Sequence, residues 1–149
     1  MDVLLADVEG LFDLALTGGD LATDDGLRTA VALSLLSDRR ANDDDVLPDN
    51  AGLGSGDRRG WWADAIAEID GDKWGSRLWL LCREKTLDDV RRRAETYARE
   101  ALAWLLEDRI ASAVEIEATT ESRDVLWLAI AIERGDGTRI ADRYQYVWR

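Results

Sequence analysis

The spacing of apolar residues changes from helical to alternating between residues 105 and 114, and this change constrains the second half of the fold. Before it, one stripe at helical spacing contains Leu87, Val90, Ala94, Tyr97, Ala98, Ala101 and Leu105. The stripe predicts a helix from Thr86, which forms a capping-box variant with Asp89, to about residue 107. After it, residues 114–118 alternate between apolar residues and glutamates, which predicts a strand with one face in water.

Two further segments complete a predicted antiparallel sheet. Residues 125–132, with the sequence VLWLAIAI, are apolar on both faces and predict a central strand covered on both sides. The segment 133–139 contains two glycines and predicts a turn, and the alternating residues 140–149 predict a last strand. The sheet is therefore expected to be a three-stranded meander, and one side of its last strand is expected to be unpaired.

The first 37 residues predict a hairpin and a helix. Apolar residues at positions 12, 14 and 16 alternate before Gly18 and Gly19, and the chain resumes at Leu21. Thr23 stands before two aspartates as a predicted N-cap, and helical spacing predicts a helix over about residues 24–37. An N-terminal hairpin and helices packed on a C-terminal meander give an α+β fold, which we expect to be one domain over residues 1–149.

Residues 38–60 contain the single proline and four glycines without apolar periodicity, which predicts the longest loop of the molecule. Its three consecutive aspartates, residues 43–45, are better explained as solvated loop charge than as a metal site. The reason is that Leu47 occupies the third ligand position of a calcium loop. After the loop, residues 61–69 predict a short helix, and Trp74 with residues 78–82 is predicted to enter the core.

The composition excludes several kinds of chemistry. The chain has no histidine and a single cysteine, Cys82, which rules out Ser-His and Cys-His nucleophiles and an internal disulfide. The net charge is −12, and residues 1–57 hold 13 acidic against 3 basic residues. Such a surface repels nucleic acid and anionic membranes, so the seven tryptophans are interpreted as core and protein-interface residues.

Glycoside hydrolysis is the common reaction that needs no histidine, because two carboxylates suffice. Glu107 and Asp108 are carboxylates at a predicted helix C-terminus, where the helix dipole disfavours them, but as sequence neighbours they need not face each other across a sugar. The segment GSGDRRG at 54–60 lacks the Gly-Lys-Ser/Thr ending of a phosphate loop. From its residues alone the chain is predicted to be an acidic, protein-binding α+β domain without a cofactor or metal.

A series of segments resembles the baseplate wedge proteins of Mu-like phages and prophages, within the wedge and tail-lysozyme-like family of contractile tails. The segments are GDLATDDGLRTAVALSLLSDRRA, DDDVLP, DRRGWW, GSRLWLLCREKT, AETYAREALAWLLEDRI and YQYVW. The wider family carries a Glu-Pro-Arg signature where its long helix gives way to the sheet. The EDR sequence at 107–109 matches it by position, with Asp108 in place of the proline.

The resemblance implies a structural, non-enzymatic role in the tail baseplate of a virion assembled in the host bacterial cytoplasm. The implied partners are other baseplate wedge proteins, the tail sheath subunit whose assembly the family initiates, and tail tube or hub proteins. The interface residues expected on this basis are Glu107, Asp108, Arg109, Arg39, Arg40, Tyr144, Tyr146 and Trp148. The alternative function is a tail-associated peptidoglycan hydrolase, which clearing of a peptidoglycan suspension would reveal.

Two hypotheses follow for the interface. Glu107 and Arg109 bind complementary groups of neighbouring wedge chains, or they form an intramolecular ion cluster with Arg39, Arg40, Arg58 or Arg59 that fixes the long loop. The second hypothesis is that a sheath arm adds to the free edge of the strand at 140–149.

Overall fold

The computed structural model describes residues 2–3, 5–8, 11–14, 16–21, 23–24, 26–48, 56–68, 71, 73–82, 87–121 and 125–147. The first strands are β1 (Asp2–Val3), β2 (Leu5–Val8), β3 (Leu11–Leu14), β4 (Leu16–Thr17), β5 (Asp20–Leu21) and β6 (Thr23–Asp24). The helices are α1 (Leu27–Leu36), α2 (Leu87–Ala101) and α3 (Trp104–Glu107), with 3-10 turns at Trp62–Ile66 and Leu78–Leu81. The last strands are β7 (Ala113–Thr120), β8 (Val125–Glu133) and β9 (Arg139–Val147), which confirms the α+β class.

The C-terminal sheet is an antiparallel meander in the order β7-β8-β9, as predicted. Between β8 and β9, the Arg134 N–H donates to the Thr138 carbonyl and the Gly137 N–H donates to the Arg134 carbonyl. Gly137 has a φ of 85°, so this is a type I turn with a glycine bulge. Because bonded pairs alternate along an antiparallel ladder, the odd-numbered residues of β9 point their N–H groups away from β8.

The two faces of the sheet differ in burial. The face toward α2 buries Leu126, Leu128, Ile130 and Ile132. The side chains of β8 on the opposite face are half-buried, so the expected cover on both sides is wrong. This face needs no second layer, because its residues 129 and 131 are alanines and long charged side chains shield them. Arg143 stacks over Trp127 at 4.8 Å, and Glu115 pairs with Arg139 at 2.6 Å.

The predicted long helix is divided into α2 and α3. The division occurs at Leu102 and Ala103, where the backbone tightens: the Leu105 N–H donates to the Leu102 carbonyl, three residues back instead of four. The tighter turn keeps both Leu102 and Leu105 fully buried. The predicted cap Thr86 lies outside the described residues, and Asp89 is in the first turn of α2.

The N-terminal hairpin is confirmed at Gly18 and Gly19, which join β4 to β5 with φ values of 63° and 89°. The prediction that Thr23 caps a helix beginning at about residue 24 is wrong. Residues 23–24 pair with β1 as strand β6, so the helix starts three residues later, after Gly26 in a left-handed conformation. Strand pairing therefore places residues 23–24 in an extended conformation, outside the helix.

The core lies between the helices, the turn at 78–81 and the inner face of the sheet. The predicted core residues Leu78, Trp79 and Leu81 are buried, and Cys82 packs against them half-buried. Trp74 is 41% exposed, so its predicted core position is wrong. The predicted helix at 61–69 is a 3-10 turn that buries none of its side chains.

The predicted loop is tied to the fold over residues 38–48. Asp38 forms an isolated parallel bridge with Ser76, and the Ala41 N–H donates to the Arg58 carbonyl at 2.8 Å. Gly75 allows this approach, since a Cβ there would lie 2.5 Å from the Ser37 carbonyl oxygen. Residues 49–55 of the loop lie outside the described residues. In the described chain, no helix is long and apolar enough to span a membrane.

Candidate protein-interaction surface

The chain passes from α3 into β7 through residues 107–111, which we call the α3–β7 corner. The Asp108 N–H donates to the Trp104 carbonyl at 2.9 Å, and the Ala111 N–H donates to the Leu105 carbonyl at 2.8 Å. Between these bonds Arg109 has a φ of 58°, the left-handed conformation that glycine usually supplies at a helix C-terminus. A side chain in this conformation costs about 1–2 kcal/mol, so an arginine here lowers local stability relative to glycine.

The side chains of the corner point into solvent. Glu107, Asp108 and Arg109 are exposed, and none of them forms an ion pair or a side-chain hydrogen bond with the described part of the chain. The apolar neighbours Leu106 and Ile110 are 46% and 38% exposed. The corner therefore presents two carboxylates, one guanidinium and two aliphatic side chains that the described fold does not use.

The charges of the corner do not form the alternative intramolecular ion cluster with the loop arginines in the described part of the chain. Arg39 pairs with Glu100 at 3.5 Å, and Arg59 pairs with Asp38 at 2.7 Å. Arg58 donates to the backbone carbonyls of Asn42 and Asp43, and Arg40 donates to the Arg59 carbonyl at 3.4 Å. The four arginines thus hold the loop through other partners, and the corner is left out of their network.

Arg77 is the centre of the loop network, and sequence reasoning missed it. Its guanidinium binds Asp45 at 2.8 Å and Glu100 at 2.8 Å, and it stacks over Tyr97 at 4.5 Å. Burial opposes the charged form, but the hydrogen bonds to Asp45 and Glu100 outweigh it and raise the pKa of Arg77. The network joins the loop to α2 across sequence separations that no local pattern reveals.

Two of the expected interface residues, Tyr144 and Tyr146, lie in β9 and interact with the rest of the described fold. Tyr144 is buried in the core, which removes its ring from contact with a partner. Burial, the negative charge of Asp38 and a hydrogen bond to that carboxylate raise the pKa of Tyr146, and the charge of Arg59 opposes them. Trp148 lies outside the described residues.

Unlike these side chains, the backbone along the outer edge of β9 has no hydrogen-bond partner in the described chain. The N–H groups of residues 139, 141, 143, 145 and 147 point away from β8, and no described residue forms a backbone hydrogen bond with them. At the opposite edge of the sheet, Glu95 of α2 accepts a hydrogen bond from the Ala118 N–H of β7 at 3.1 Å. The described chain covers one edge of the sheet in part and leaves the other free.

Among the described residues, no three histidine, cysteine, aspartate or glutamate side chains are placed to hold a metal ion.

Comparison with known proteins covers most of the chain. The family described as Phage protein GP46 matches residues 27–139, from α1 to the start of β9, and so includes the corner. The chain is 45% identical to "Baseplate protein gp46" of Escherichia phage Mu over 139 residues, which cover 93% of this chain and 91% of that protein. It is 33% identical to "Mu-like prophage FluMu protein gp46" of Haemophilus influenzae over 147 residues, 99% of this chain and 97% of that protein.

Proposed function

The chain belongs to the GP46 family of phage proteins, and from this premise we propose that it is a structural component of the baseplate of a Mu-like contractile tail. Its place is in the virion, where it joins other baseplate wedge proteins and initiates sheath assembly. The support is the 45% identity with a protein named as a baseplate protein, over nearly the whole of both chains. The role requires no catalysis.

The observation that carries the proposal for the wedge contact is the α3–β7 corner. Charged groups that are unpaired in the described chain can form charge-assisted hydrogen bonds with groups of opposite charge on a neighbouring chain. Leu106 and Ile110 beside them supply apolar surface that such a contact would bury. Partial desolvation then strengthens the ion pairs beyond what exposed pairs contribute.

The test is charge reversal at Arg109. We expect Arg109→Glu to change the unfolding free energy by less than about 0.5 kcal/mol, because the side chain is exposed and unpaired. Co-purification with the neighbouring wedge proteins should be lost. Arg99→Glu is the matched control: this arginine is also exposed, lies near the end of α2, and should leave assembly intact.

A second variant distinguishes the effect of the Arg109 side chain from that of its left-handed backbone conformation. Arg109→Gly should raise the unfolding free energy by up to about 1 kcal/mol, because glycine relieves the left-handed strain, yet it should also weaken assembly. Assembly at the wild-type level in Arg109→Glu would overturn the interface role. Assembly lost in Arg109→Glu but normal in Arg109→Gly would show that the guanidinium itself binds nothing.

The proposed sheath contact is supported by the open edge of β9. An extended arm of a sheath subunit can add to such an edge as a further strand, with its affinity supplied by main-chain hydrogen bonds. Nine residues of β9 pair with β8, which gives the arm a long, regular template.

A further inference from the structure

Three tryptophans lie together on the surface. The ring centroids of Trp61 and Trp62 are 5.8 Å apart, and those of Trp61 and Trp74 are 6.0 Å apart. Trp61 is 50% exposed and Trp62 is 75% exposed. A contiguous exposed aromatic surface of this kind often marks a binding site, since tryptophan and arginine are enriched in binding hot spots.

The tryptophans form one wall of a groove of about 530 Å³, which is lined by Arg40, Gly60, Trp61, Trp62, Asp64 and Lys73. A volume of this size is typical of sites that take a ligand of several side chains. Trp74 supports the wall from behind through its contact with Trp61.

The backbone holds this wall in place. Arg59 and Gly60 are consecutive residues in the positive-φ region, at 52° and 107°. A Cβ at Gly60 would lie 2.7 Å from the Cβ of Arg40, so only glycine allows the two segments to approach this closely. The Ala41 N–H donates to the Arg58 carbonyl, which fixes the same contact. Strain is therefore maintained at the point that directs Trp61 and Trp62 outward.

The charges of the groove are opposite to those of the molecule. Within the described chain, Arg40 and Lys73 form no ion pair, whereas Arg59 is paired with Asp38. Two unpaired cations thus lie at the groove of a chain whose net charge is −12. Asp64 accepts a hydrogen bond from the Trp74 N–H through Oδ1, while its buried Oδ2 accepts none from the described residues.

We propose that this groove binds an acidic peptide segment of a partner protein. An apolar side chain of the segment lies against Trp61 and Trp62, and its carboxylates pair with Arg40 and Lys73. A nucleic acid fits less well, because a chain of net charge −12 repels phosphates that extend beyond the groove, whereas a short segment needs only the carboxylates that face Arg40 and Lys73. The inference goes beyond the proposed function and does not depend on the α3–β7 corner.

The test uses the full chain and a fluorescein-labelled peptide, Glu-Glu-Leu-Phe-Asp-Glu, in a fluorescence-anisotropy titration. We expect binding with a dissociation constant below about 1 mM. The substitutions Trp62→Ala and Arg40→Glu should each weaken it at least about tenfold. Ile66→Ala is the matched control, since Ile66 is exposed on the same 3-10 turn but does not line the groove. It should bind like the wild type, as should Arg109→Glu.

Three outcomes would overturn the proposal. The first is the absence of binding up to about 1 mM peptide. The second is equal binding of a peptide in which Leu-Phe is replaced by Gly-Ser, or of one with lysines in place of the acidic residues. The third is tighter binding of oligothymidylate than of the acidic peptide, which would assign the groove to nucleic acid. Loss of assembly in Arg109→Glu with normal peptide binding would leave this proposal standing, so the two proposals fail separately.

Discussion

Arg77 and Arg109 differ in burial and in the number of partners that each has within the described fold. Arg77 is nearly buried and has two carboxylate partners and an aromatic neighbour, whereas Arg109 is exposed, strained and unpaired within the described residues. The first contributes to the stability of the fold, since a guanidinium binds two carboxylates in fixed geometry. The second forms no ion pair or side-chain hydrogen bond that would stabilise the described fold, which supports its proposed role in binding.

We expect Arg77→Met to lower the unfolding free energy by about 3 kcal/mol, because it leaves Asp45 and Glu100 partly buried without their cation. Arg77→Lys should cost less, since it keeps the charge and loses the planar fork. Urea denaturation measures both. Equal stability of Arg77→Met and wild type would show that the network does not hold the loop.

The sequence could indicate Arg109 but not Arg77. Carboxylates and a cation at the end of a strong helical stripe stand out locally, and the structure places Glu107, Asp108 and Arg109 together at an exposed corner. The interpretation of residues 43–45 as solvated loop charge is wrong for Asp45, which pairs with Arg77, 32 residues away. Pairing at that distance depends on how the loop folds back, which a one-dimensional pattern does not contain.

Among the helices and strands, the spacing of apolar residues predicts an element correctly where tertiary packing and local conformational preference favour the same structure. The meander was predicted because alternating side chains and a glycine turn favour the same register. The start of α1 was missed because Thr23 can cap a helix or pair in a strand, and its partner is in β1, twenty residues earlier. The division between α2 and α3 was missed because no proline or glycine marks it.

The open edge of β9 gives a prediction for sheath assembly. Ala141→Pro removes an N–H that points away from β8, so the sheet should keep its own hydrogen bonds while an added strand loses one. We expect the variant to fold and to enter baseplates, but electron microscopy should show few sheathed tails. Ala141→Val is the matched control, since valine suits a strand and retains the N–H.

Sheathed tails at the wild-type frequency in Ala141→Pro would exclude strand addition at this edge. Circular dichroism should show the same folded sheet in Ala141→Pro and Ala141→Val, since neither substitution removes a hydrogen bond between β8 and β9.

In the molecule as a whole, the groups that stabilise the described fold are distinct from those that we propose for binding. The core between helices and sheet, together with the Arg77 network, accounts for the rigid interior. The corner and the edge of β9 have polar groups without a partner in the described chain, and the groove has two cations without an ion pair there. These are the three surfaces that we propose for contacts with other chains.

The central claim, that the α3–β7 corner joins this chain to a neighbouring baseplate protein, is tested most directly by electron cryomicroscopy of the assembled baseplate. We expect the Arg109 guanidinium to lie within about 4 Å of a carboxylate of another chain, the distance of an ion pair. Leu106 and Ile110 should be buried in the same contact. A corner that faces solvent in every copy of the chain would contradict the account.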